Sequence, residues 1–211
     1  MLTDVPDIGV HYSRFRLPPD LGDTISVDVL GDAPALLGDA EPDAVAFHGT
    51  SGSWTGLDGD RALCEQLSEV TGAPSTTASL AVVEALRALE FDRVSLVFPG
   101  PQPIAELIRE EYARNGIDVI AHHTPDVVYT NPEISRLRRA DVHSLMVHGF
   151  VPGADAVVCI GTNLRSAYLV DELETEFGVP VIDSASTTLW QLLRMAGVDS
   201  PVAGWGSLFD D

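Results

Sequence analysis

A chain of 211 residues with 45% hydrophobic side chains is long enough to bury a core, as one large α/β domain or two small ones sharing an interface. Its 32 acidic residues stand against 12 basic ones, all arginine, and the net charge of −20 excludes nucleic acid and anionic membrane as partners, since phosphate neutralisation needs clustered cations. No apolar run approaches the ~18 residues that span a bilayer, and residues 1–7 carry neither a basic start nor an apolar stretch, so no secretory leader and a cytoplasmic location are expected.

In chain order, β-branched runs predict strands over residues 8–11, 25–29 and 44–47. Amphipathic spacing then predicts helices over 58–70 and 79–89, the first stopped by Gly72. A strand over 94–98, a helix over 103–115 stopped by Gly116, and a strand over 118–121 follow. A long helix is predicted over 132–148, a strand over 156–160, a helix over 164–177 stopped by Gly178, a strand over 179–182 and a last helix over 187–196 before Gly197. Strands and helices alternating at this length imply parallel sheets covered on both faces. Cys64 lies in a helical pattern and Cys159 ends a buried strand; neither has zinc or disulfide spacing, and both read as small core residues.

The pattern is doubled. Residues 41–50 run Pro, acidic turn, apolar strand, Gly-Thr; residues 152–162 repeat that order, and each following helix ends in Gly-(Ala/Val)-Pro, at 72–74 and 178–180. Two pseudo-symmetric lobes are the simplest account, one comprising residues 1–90 and 190–211, the other 91–189. In open parallel sheets ligands bind beyond the carboxyl ends of the strands, so both Gly-Thr turns belong at the ligand end and would meet across one cleft.

The first turn holds His48, Gly49, Thr50 and Ser51; the second holds Gly161, Thr162 and Asn163. Glycine admits a ligand close to the backbone, while hydroxyl, amide and backbone N–H groups donate to an anion without a charged side chain. A matched pair of such turns suits a small carboxylate or dicarboxylate and an enediolate formed from it. Each turn alone also reads as a capped strand-to-helix connection.

These turns, with residues 71–77, 85–89, 131–137, 161–166 and the tail 178–209, resemble the aspartate/glutamate racemase superfamily, and within it the arylmalonate decarboxylase and maleate isomerase branch. The resemblance implies an α/β fold of two Rossmann-like lobes with the active-site cleft between them, and lyase or isomerase chemistry needing no metal or organic cofactor. It also implies a thiol on one or both inner turns; here those positions fall on Gly49 and Gly161. Further departures are Gly100, where the family carries a carboxylate-holding Tyr, and an entry almost directly at residues 10–15, ahead of which relatives carry a strand and a Pro-rich loop. Arg14 aligns with a frequent family arginine and suits a bidentate carboxylate pair. His48 and Tyr12 are the candidate proton-transfer residues. The expected activity is therefore a cofactor-independent lyase, a decarboxylase or hydratase-like enzyme acting by oxyanion stabilisation. The alternative is a non-catalytic carboxylate-binding or regulatory protein, or a thiol-less partner subunit of an intact relative. Self-association and assembly with such a relative are both compatible with the sequence.

Overall fold

The computed structural model describes residues 8–18, 22, 24–198 and 201–210; residues 1–7, on which the leader was judged, lie outside them. The chain begins with α1 (Val27–Leu30), α2 (Ala33–Gly38), β1 (Val45–Phe47), α3 (Gly52–Thr55), α4 (Leu57–Thr71), β2 (Ser75–Thr77) and α5 (Ala78–Ala88). It continues with β3 (Arg93–Val97), α6 (Gln102–Arg114), β4 (Asp118–His123), α7 (Asn131–Ile134), α8 (Arg139–Gly149), β5 (Ala156–Cys159), α9 (Val170–Phe177) and β6 (Val181–Asp183). After β6 comes α10 (Ser184–Met195), which packs on α5. β1 pairs in parallel with β2, and the larger sheet runs β4-β3-β5-β6, also parallel throughout.

The period of two along a strand explains the layers. On β5, Ala156 and Val158 enter one core with Val94, Leu96, Ile108, Val82, Leu86 and Trp190, while Val157 and Cys159 enter a second with Val142, Met146 and Leu173. Both faces of this strand are thus dry, which is why its sequence is continuously apolar. A third core places Phe47 of β1 with Ile25, Leu30, Leu63 and Leu67. Each fully buried Leu or Val contributes about 1.5–3 kcal/mol of transfer free energy. Gly72 and Gly178 take left-handed conformations at φ 73° and 70° and end α4 and α9, as the sequence predicts.

Several expectations are corrected. Residues 25–29 are not a strand: Val27–Leu30 is helical, because Ile25 and Leu30 together reach the α4 side chains Leu63 and Leu67. Residues 8–11 form no strand among the described residues. β2 went unpredicted, because its Ser-Thr-Thr triplet carries no apolar run. The helix expected over 132–148 is two, since Arg138 is extended at ψ 156° and its N–H is taken by the Asp141 carboxylate at 3.2 Å. The helix expected from 164 begins as a turn and a 3-10 segment, and α9 starts only at Val170. Among the described residues, no helix is long and apolar enough to cross a membrane.

Candidate active site

The first turn leaves β1 abruptly. Gly49 N–H returns to the Phe47 carbonyl at 2.9 Å, Ser53 N–H to that of Thr50 at 3.1 Å, and Trp54 N–H to that of Ser51 at 3.0 Å, so the turn runs straight into α3. A Cβ at Gly49 would lie 2.5 Å from the Phe47 ring. Glycine is what lets that ring stack under the turn. Thr50 is buried and Ser51 half-buried.

The second turn follows β5. Gly161 N–H donates to Ser184 Oγ at 3.1 Å. Gly161 has φ +142°, a region where L side chains are strained, and a Cβ there would meet Pro99 at 2.9 Å. Phe98 fills the space beside Gly100 in the same way, its ring 2.5 Å from where a Cβ would stand. The two turns touch: Thr162 Oγ1 donates to the His48 carbonyl at 3.4 Å, joining residues 114 positions apart. Asn163 turns elsewhere, its amide donating to the Asn131 carbonyl at 3.3 Å and side-chain oxygen at 3.0 Å, which anchors α7.

Beside this junction a pocket of about 420 Å³ lies along β1, lined by Tyr12, Arg14, Phe15, Leu30, Phe47 and His48. The structure therefore brings Tyr12, Arg14 and His48 to one cavity, whereas Gly49, Thr50, Ser51, Gly161, Thr162 and Asn163 are not among its lining residues. Tyr12 is 86% exposed, so its hydroxyl meets water at the rim. His48 keeps solvent access, yet its surroundings desolvate the ring enough to lower its pKa from 6.5. Desolvation disfavours the imidazolium, so the neutral ring prevails at neutral pH.

A larger cavity of about 580 Å³, lined by His123, Tyr129, Arg138, Asp141 and His148 among others, shares no residue with the first. His123 stacks on His148 with ring centroids 5.5 Å apart, and His122 lies 3.6 Å from Glu106. His143 pairs with Glu176 at 2.9 Å. Among the described residues, no group of three or more His, Cys, Asp or Glu could hold a metal ion.

Beneath each turn lies a buried acid that sequence reasoning missed. Asp60 on α4 is 4% exposed and accepts a hydrogen bond from Thr77. Burial nevertheless pushes its carboxyl up to about 6. Asp183 is fully buried at the end of β6; it caps α10 by accepting from Ala185 N–H at 2.9 Å and Ser186 N–H at 3.0 Å, and it bonds to Ser166. Burial raises its pKa as well. The Ser166 hydroxyl also lies 3.2 Å from the Cys159 sulfur. Burial raises both cysteines, Cys64 to about 12, so both stay thiols. The available signal was the hydroxyl-rich start of two helices, at residues 75–79 and 184–188.

Residues 22–209 match the family model for arylmalonate decarboxylase. The arylmalonate decarboxylase of Bordetella bronchiseptica is 27% identical over 212 residues, covering 99% of this chain and 88% of that protein. A maleate isomerase of Pseudomonas putida is 26% identical, covering 94% and 82%. The structure of Nocardia farcinica maleate cis-trans isomerase with a covalently bound succinylcysteine intermediate aligns at a TM-score of 0.82 and 25% identity, covering 99% of this chain and 89% of that one.

Proposed function

Because this chain belongs to the arylmalonate decarboxylase family, whose members include lyases and isomerases of small carboxylates, we propose that it is a cofactor-independent decarboxylase of malonate-type acids that works without a thiol on either turn. The observation that carries the reading is the contact of the two glycine turns through Thr162 and the His48 carbonyl, beside the pocket holding Arg14, His48 and Tyr12. Arg14 pairs with one carboxylate. The C–C bond to the other breaks, CO2 leaves, and the electron pair moves onto the retained carboxylate as an enediolate, which the Arg14 guanidinium continues to hold. Protonation at carbon completes the reaction. His48, held neutral, accepts hydrogen bonds rather than supplying a proton at neutral pH. The proton then comes from water in the open pocket or from the exposed Tyr12 hydroxyl.

The rings packed against Gly49 and Gly161 fit this assignment, since the space a thiol would need is filled by Phe47 and Pro99. The test is turnover of 2-methyl-2-phenylmalonate in D2O, followed by NMR, with maleate and aspartate as comparators. CO2 release with deuterium at the α-carbon is expected, and a solvent donor predicts racemic product. Saturable binding of phenylmalonate without exchange would make the protein a carboxylate binder. Failure to bind any of these acids would refute the site itself.

A further inference from the structure

Asp60 takes no part in the chemistry above, yet it sits directly under the first turn. A Cβ on Gly52, the first residue of α3, would collide with all three carboxyl-group atoms of Asp60. Two hydroxyls point into the same space. Thr77 Oγ1 accepts from Leu80 N–H at 3.1 Å and donates to Asp60; Ser79 Oγ accepts from Ser53 N–H at 3.1 Å and, on the Asp60 side, favours the ionised carboxylate. A hydroxyl that accepts from a backbone N–H keeps its own proton free to donate, and an ionised carboxylate can accept from both hydroxyls at once. A protonated Asp60 would itself have to donate to one of them, which leaves that hydroxyl's proton without its acceptor. We propose that Asp60 is a positioning residue for the first turn, its ionised carboxylate fixing Ser53 N–H, and with it the Thr50–Ser51 segment, through Ser79. The inference rests on the site reading above.

The groups around Asp60 are few. Arg61 and Cys64 stand on α4 itself, and α6 contributes Tyr112 and Glu111, the latter accepting from Leu57 N–H at 3.0 Å. β2, α3 and the first turn of α5 bring hydroxyls but no ionisable side chain, α1 and the rest of α5 bring only the exposed Asp28, Glu84 and Arg87, and α2 brings none. Burial lifts the carboxyl to about 6, so the switch falls within reach of ordinary buffers.

The experiment follows the Ser53 amide by NMR from pH 4.5 to 7.5 in the wild type and in Asp60→Asn, and measures the phenylmalonate Kd of both proteins across that range by calorimetry. The Ser53 resonance should titrate with a midpoint near 6 in the wild type and not in the variant. The ratio of variant to wild-type Kd should rise from about one at the acid end to threefold or more at pH 7.5, a gain of about 0.65 kcal/mol; ligand ionisation cancels in that ratio. A Ser53 midpoint unchanged by Asp60→Asn, or a ratio independent of pH, overturns the proposal. If neither phenylmalonate nor maleate binds the wild type while Ser53 still titrates with Asp60, the carboxylate site fails and the coupling of acid to turn stands. Should Asp60→Asn not fold, Ser79→Ala cuts the same link with Asp60 intact, and a persisting inflection at Ser53 would refute the link.

Discussion

Replacing Asp60 by Asn should flatten one part of the pH dependence of stability. Its pKa rises from 3.8 to about 6 on folding, because the loss of hydration outweighs the hydrogen bonds from Thr77 and Ser79 and the attraction of Arg61. The folded chain therefore holds this proton more tightly than the unfolded chain. Stability from this group is complete below pH 3.8 and is lost as pH rises through about 6. Carried to neutral pH, the shift corresponds to about 3 kcal/mol of destabilisation by the ionised acid. Asn stays uncharged throughout, so urea unfolding at intervals from pH 4 to 7.5 should show the wild type losing about 2.5 kcal/mol relative to the variant across that window, the rest being lost below pH 4. Two background effects are common to both proteins and cancel in the difference. Self-repulsion from the net charge of −20 grows with pH. His48 and His123, with lowered pKa values, act oppositely, since their stability is lost as pH falls through the window below 6.5. Parallel curves, or a difference that grows in favour of the wild type with rising pH, would refute the assignment of Asp60 as a desolvated acid.

Thr162→Val removes the one hydroxyl that joins the two turns. The loss of about 1 kcal/mol for such a bond predicts roughly fivefold weaker phenylmalonate binding, read by calorimetry. Gly161→Ala should cost about 1–3 kcal/mol, because φ +142° is a glycine conformation and the new methyl meets Pro99; thermal unfolding of purified protein checks it, and an unchanged midpoint would mean the turn relaxes freely. Gly161→Cys carries the same strain, so a thiol placed there should destabilise the fold by a similar amount. Gly72→Ala, at φ +73° with nothing within 4 Å of the added methyl, should cost about 1 kcal/mol through backbone strain alone.

The long, periodic elements were legible because their own residues carry the signal. α4, α5, α6 and α10 fall within two or three residues of the predicted spans, and each of β3 to β6 overlaps its predicted run. β2 and α1 were not. β2 is a Ser-Thr-Thr triplet whose strand character comes from pairing with β1, and Ile25, Val27 and Val29 alternate into α1 in a way that mimics a strand. Local alternation lost to packing: Ile25 and Leu30 are both buried against α4. The break between α7 and α8 is written in Asp141, three residues after Arg138, a capping signal overridden by the apolar spacing on both sides. The doubled Gly-Thr turns could be read from the residues, but the roles of Asn163, turned to Asn131, and of His48, desolvated while still reached by water, could not.

By itself the sequence determined that strands and helices alternate, that the sheets are parallel, and that two matched turns end two buried strands, because apolar periodicity and glycine stops are properties of neighbouring residues. Only the tertiary structure decided that those turns touch, that Phe47 and Pro99 occupy the space beside their glycines, and that Asp60 and Asp183 lie dry beneath them. Each of those facts depends on residues brought together from distant parts of the chain, and desolvation has no signature until the neighbours that exclude water are in place.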